Sequence, residues 1–120
     1  TNVLWAFCPN VDSDPMEPWN LAKHYYPGDR YVDLLGMDGY NWAITPEIAQ
    51  AKKYSWIKPW MSFEDIFRNL YEELKAIAPN KPMMIFETAT VVRGGNKNEW
   101  IKQALLTAKK WNLAGIVWFQ

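Results

Sequence analysis

Four short apolar runs, set apart by stretches of helical periodicity, constrain this chain more than any other feature. They are Val3–Phe7, Tyr31–Met37, Pro82–Phe86 and Ala114–Phe119. None alternates cleanly between apolar and polar residues, as expected of strands covered on both faces. Cys8-Pro9-Asn10 stops the first, and Asp38-Gly39 ends the second. Between the second and third, Ser62-Phe63-Glu64-Asp65 reads as a capping box, with Ser62 as N-cap and Asp65 reaching back. Phe63, Ile66, Phe67, Leu70, Tyr71, Leu74 and Ile77 then form one apolar helical face, which Pro79 ends. A second helix is predicted from near Asn98, with Trp100, Ile101, Ala104, Leu105, Ala108 and Trp111 as its stripe. Pro46–Ala51 and Pro18–His24 read as short helices, the latter broken by Pro27-Gly28.

Strands alternating with helices imply a parallel sheet with helical crossovers. Two architectures fit: a small open doubly wound domain, or half of a (β/α)8 barrel. Gly94-Gly95 lacks the G-x-G-x-x-G spacing, so a nucleotide-binding fold gains little support. The 120 residues suffice for one domain with a real core, and a formal net charge of zero argues against nucleic acid or an anionic membrane surface as main partner. No apolar run approaches the roughly 20 residues that span a bilayer, and Thr1 runs straight into a strand without a leader-like segment. A single Cys8 and a lone His24 speak against an internal disulfide and a Cys- or His-based zinc site, and no cofactor is called for. Eight tryptophans in 120 residues fit either a Trp-rich core or a sugar-binding cleft, where aromatic faces pack on pyranose rings.

The stretch Met-Met-Ile-Phe-Glu-Thr-Ala-Thr, residues 83–90, poses the functional question: an apolar strand runs straight into a carboxylate, Glu87. Polar and aromatic residues also follow the other strands. Asn10, Asp12 and Asp14 follow the first, Asp38, Tyr40, Asn41 and Trp42 the second, and Trp118 and Gln120 close the fourth. Parallel strands bring such ends to one rim, which in barrels holds the active site. A partly desolvated acid there could serve as nucleophile or acid toward an anomeric carbon. The competing reading is a structural carboxylate paired with Arg93 or Lys81.

Several segments resemble the family 26 glycoside hydrolases, the β-mannanase group of the retaining (β/α)8 clan. Residues 2–10, Asn-Val-Leu-Trp-Ala-Phe-Cys-Pro-Asn, resemble that family's fifth strand. Tyr26-Pro-Gly-Asp-Arg-Tyr-Val-Asp33 with Gly36-Met-Asp-Gly-Tyr-Asn-Trp42 is similar to the sixth, and Lys81-Pro-Met-Met-Ile-Phe-Glu87 to the seventh. Trp100-Ile101 with Gly115-Ile-Val-Trp-Phe119 resembles the last helix and eighth strand. The resemblance implies an α/β fold of the TIM-barrel glycosidase type, present as a C-terminal half barrel of four parallel strands. Residues 1–120 would be a single incomplete domain. It implies Glu87 as nucleophile, Tyr40 orienting it, Trp118 flooring the subsite of the reacting sugar, and Trp42 and Asn41 lining the cleft, with Asp38 either a further substrate contact or a loop or capping acid. It leaves His24 structural, Cys8 a small buried residue where serine is common, and Asp33 a loop or capping acid. Thr88-Ala-Thr-Val-Val-Arg93 departs from the family's small and acidic residues, which bears on substrate preference.

A retaining glycosidase needs a second carboxylate, which this family carries after its fourth strand in a His-Glu-Met-Asn type of motif. These residues contain no such motif, so the chain is expected to begin at the fifth strand and to be poorly active alone. The expected partners are a β-linked glycan, such as mannan, and either the other half of the barrel or a second copy covering the open face. Secretion of the parent enzyme is expected from a polymeric substrate. Competing readings are a non-catalytic carbohydrate-binding half barrel and a flavodoxin-like binding domain with helices on both sheet faces.

Overall fold

The computed structural model describes residues 2–43 and 58–119. The short helix expected at Pro46–Ala51, and Gln120 at the rim, lie outside the described residues. Within them run β1 (Ala6–Phe7), β2 (Leu34–Asn41), α1 (Phe63–Ile77), β3 (Met83–Thr90), α2 (Lys97–Lys110) and β4 (Ile116–Trp118). The strands form one sheet, all parallel, in the order β1-β2-β3-β4.

That order separates the two architectures. A doubly wound sheet reverses its strand order and puts helices on both faces. Strands added successively in one direction, each by a right-handed crossover, place every helix on the same face. α1 and α2 do share a face, because they pack on each other. Phe63 meets Trp100 edge-on at 5.6 Å, and Tyr71 stacks on Trp111 at 4.2 Å and 9°. Leu35 and Met37 from β2, Ile85 from β3, and Phe63, Phe67 and Leu74 from α1 are fully buried in that layer. The flavodoxin-like alternative is thereby excluded.

The helices start where their caps dictate. Ser62 Oγ accepts the Asp65 N–H at 3.1 Å. The return contact differs from the expected box: the Ser62 hydroxyl donates to the Asp65 carboxylate at 2.7 Å. Asn96 caps α2 by accepting the Glu99 N–H at 3.1 Å. The helix expected at Pro18–His24 is instead two 3-10 turns, Pro18–Asn20 and Ala22–His24, separated by extended Leu21.

The strands depart from expectation at their ends. β1 keeps only two residues, and Val3, Leu4 and Trp5 lie exposed at the sheet edge. Beyond β1, Pro9 has no N–H to donate. The chain nonetheless stays beside β2, through Asp38 N–H to Pro9 O at 3.2 Å and Val11 N–H to Asp38 O at 2.9 Å. β2 and β3 run past Met37 and Phe86, pairing Asp38 with Glu87, Gly39 with Thr88, Tyr40 with Ala89 and Asn41 with Thr90. Glu87 therefore lies within a strand and not at its end. Several of these polar residues bond across the ladder, as Asn41 Nδ2 does to Thr90 Oγ1 at 2.9 Å, while the buried Thr88 hydroxyl has no partner among the described residues.

Candidate active site

Side chains of a strand alternate between faces. On β2, Leu35 and Met37 point to the helices, so Asp38 and Tyr40 point to the opposite, concave face. On β3, Met83 and Ile85 are buried toward the helices, which by strict alternation would send Glu87 there too. It does not go there, because the register slips. Met37 pairs with Ile85 but Asp38 pairs with Glu87, so Phe86 is an extra residue on β3. This bulge reverses the phase of the strand. Phe86 and Glu87 are both half-buried, and Thr88 and Thr90 resume the buried positions. The acid thus leaves the helix layer and joins Asp38 and Tyr40.

Tyr40 donates its hydroxyl to Glu87 Oε2 at 2.5 Å. Burial, the Glu87 hydrogen bond and the charges of Glu87 and Asp38 push the Tyr40 hydroxyl up to about 12, so it stays a donor. Asp38 lies beside Glu87 in the ladder. Burial raises its carboxyl above the ordinary range and the Glu87 charge adds to this, while the Cys8 thiol and the Glu87 backbone N–H favour its charged form. Cys8 Sγ donates to Asp38 Oδ1 at 3.2 Å. Burial, then this bond and the neighbouring carboxylates, raise the thiol to about 12, far from a thiolate nucleophile.

The competing structural role for Glu87 finds no support in Lys81, whose Nζ donates to the Asp29 carbonyl at 2.9 Å. No ion pair holds Glu87 among the described residues. Trp42, 44% exposed, lies 5.1 Å from Tyr40 at 33°. A cavity of about 560 Å³ touches Tyr40 and Trp42 but runs between the loop after β1 and α1, with Asp12, Lys58, Ile66 and Asn69 in its lining, and neither Glu87 nor Asp38 borders it.

Residues 1–111 match the model of glycosyl hydrolase family 26. The chain belongs to this family. A curated relative, endoglucanase H of Acetivibrio thermocellus, is 41% identical over 104 residues, which are 87% of this chain and 10% of that protein. The chain thus spans about a tenth of the relative's length. Family 26 proteins fold as (β/α)8 barrels, and the four parallel strands with one-sided helices are half of one.

Within this family 26 half barrel the expected site residues divide. Glu87, Tyr40, Asp38 and Trp42 gather on the concave face. Asn41 is 2% exposed, and its amide is committed inside the chain, to Thr90 through Nδ2 and to the Met61 N–H through Oδ1 at 3.0 Å. It acts as a cross-brace at the rim and not as an open contact. Trp118 is not brought to Glu87. It follows the phase of Ile116, which packs on the helix-side core, and its ring meets Trp100 edge-on at 6.1 Å with Lys97 Nζ 5.6 Å over its face. From the β4 side, the aromatic that approaches Tyr40 is Phe119, 55% exposed and 6.4 Å away at 82°. Sequence reasoning missed Phe119. Counting phase from Ile116 would have found it, since Val117 and Phe119 share the other face.

The remaining candidates serve the scaffold. Asp33 accepts the Trp5 N–H at 2.7 Å at the opposite end of β2. His24 Nε2 contacts the Pro18 carbonyl at 3.1 Å within its own loop.

Proposed function

We propose that this chain carries the nucleophile half of a retaining endo-β-glycosidase, with Glu87 as nucleophile. The observation that carries the reading is the Tyr40–Glu87 hydrogen bond on the concave face of a family 26 half barrel. In the first step a Glu87 oxygen bonds to the anomeric carbon as the bond from that carbon to the glycosidic oxygen breaks. The leaving oxygen takes a proton from a second carboxyl, about 5–5.5 Å from Glu87 in enzymes of this kind. Water, deprotonated by the same group, then displaces Glu87. Tyr40 fixes the attacking carboxylate, and Trp42 and Phe119 offer aromatic surface to the sugar on either side of it. Asp38 flanks Glu87 and shapes its field. The second carboxyl belongs to the barrel's other half. Because general acid catalysis supplies about 10²–10⁴-fold, residues 1–120 alone turn over natural glycans poorly.

The substrate is a β-linked glycan. The name of the relative, endoglucanase H, favours a β-glucan over mannan. Parallel assays on β-glucan and mannan with the complete catalytic domain decide between them. Glu87→Ala is expected to lower turnover by roughly 10⁴-fold or more while glycan affinity, measured by titration calorimetry, persists. Unchanged turnover overturns the nucleophile assignment. Glycan binding without turnover in the unmutated domain favours a carbohydrate-binding half barrel instead.

A further inference from the structure

We propose that Phe86, seated on Gly36, forms a device that aims Glu87, making both positioning residues for the nucleophile. The inference rests on the reading of Glu87 given above.

Three observations meet here. First, both neighbours of β3 register the extra residue. Against β2 the slip falls opposite Met37/Asp38. Against β4, Ile85 pairs with Ile116 and Thr88 with Trp118, so β3 advances three residues while β4 advances two. The insertion is therefore built into the sheet on both sides and is no loose end of one ladder. Second, parity decides where the acid goes. Without the insertion Glu87 would share the face of Met83 and Ile85, which are 4% and 0% exposed among the helices. Tyr40, on the other face of β2, could not then reach it. With the insertion the Tyr40 hydroxyl stands 2.5 Å from Oε2.

Third, the inserted side chain needs a place on the concave face, and Gly36 supplies it. A Cβ at Gly36 would stand 2.3 and 2.6 Å from Cδ2 and Cε2 of Phe86, and 2.7 Å from Cys8 Sγ. The Phe86 ring therefore lies flush on bare backbone, where no other residue type leaves room. A side chain at Gly36 would lift the ring, and the ring is one residue from Glu87. Strand bulges beside active sites commonly re-aim a side chain, and displacement of a reacting group by about 1 Å can cost about 10²-fold.

The test uses the complete catalytic domain and two probes, 2,4-dinitrophenyl 2-deoxy-2-fluoro-β-cellobioside and its β-mannobioside counterpart. A Glu87 oxygen bonds to the anomeric carbon, the bond to the dinitrophenyl oxygen breaks, and dinitrophenolate leaves without needing a proton. The labelling rate thus reports attack alone, and peptide mass locates the label. In Gly36→Ala we expect labelling of Glu87 to slow by about 10²-fold, with natural-substrate kcat falling in step and KM little changed. Gly36→Ala combined with Phe86→Leu and Cys8→Ala relieves the contacts with both the ring and Sγ and is expected to recover most of the loss. Should Gly36→Ala fail to fold, Phe86→Ala alone serves, since it empties the seat on Gly36 that leucine would still fill, with labelling expected to slow while the near-UV circular dichroism is retained. Label on Glu87 at the unmutated rate in whichever single variant is tested overturns the inference and leaves the nucleophile standing. Slowing in Gly36→Ala without recovery in the combined variant also overturns it. Label on another carboxylate, or none from either probe, overturns the nucleophile reading itself.

Discussion

Tyr40 and Asp38 share the surroundings of one carboxylate and both are raised by burial, with different consequences for pH dependence. The Tyr40 hydroxyl holds its proton up to about 12, so it donates to Glu87 across any working pH. Removing it in Tyr40→Phe deletes a hydrogen bond to a charged group, worth about 1.5–3 kcal/mol. The expected loss in kcat is about 10- to 10²-fold, with the alkaline limb of the pH profile unmoved; steady-state kinetics across pH checks both. Asp38 is raised in the folded protein, chiefly by burial. Between its ordinary value of 3.8 and its folded value, the native state holds a proton that the unfolded chain has released. Stability contributed by this group therefore falls as pH rises through that window, and above it the charged form is a cost. Asp38→Asn, which keeps an acceptor for Cys8, should melt at higher temperature than the parent at pH 7, and the gain should vanish below pH 3.8. At this scale the gathering of Glu87, Tyr40 and Trp42 was legible through their motif. The sequence hid the commitment of Asn41 to Thr90 and Met61, because an amide in a rim motif looks the same whether it faces a ligand or a neighbouring strand.

Elements were legible to the extent that periodicity defined them. α1 begins at the residue after Ser62 because the serine satisfies an orphan N–H, and Phe63, Phe67, Leu70 and Leu74 are buried as their spacing requires. Ser62→Ala should cost about 1 kcal/mol, read from denaturant unfolding of the catalytic domain, with little change in kcat. Strand ends were less legible for a physical reason. Polarity marks where a strand leaves the core, not where its ladder stops, and β2 and β3 keep pairing through Asn41 and Thr90. The bulge was invisible for a related reason. Met83-Met84-Ile85-Phe86 is apolar throughout, so no alternation exists in which a skipped beat could be noticed. The resemblance put Trp118 beside the reacting sugar, whereas in the structure Phe119 approaches Tyr40 and Trp118 packs on Trp100.

At the scale of the molecule, two exposed edges and a concave face remain. Val3, Leu4 and Trp5 are exposed beside β1, and Val117 and Phe119 at β4. In a closed barrel such edges find partners. Residues 1–120 produced alone should therefore associate at micromolar concentration, and a monodisperse monomer in sedimentation velocity would contradict this. The parallel order was legible from the alternation of elements, but the choice between open sheet and half barrel needed the helix-to-helix contacts of Tyr71 and Trp111.

The sequential strand order also has a consequence in time. Leu35 pairs with Met83, 48 positions on, and Ile85 with Ile116, 31 positions on. Each strand joins the one made just before it. As the chain leaves the ribosome, every pairing surface is complete before its next partner is synthesised. The sheet can be laid down in the direction of translation, so that Tyr40 is already on its strand when Glu87 emerges to meet it.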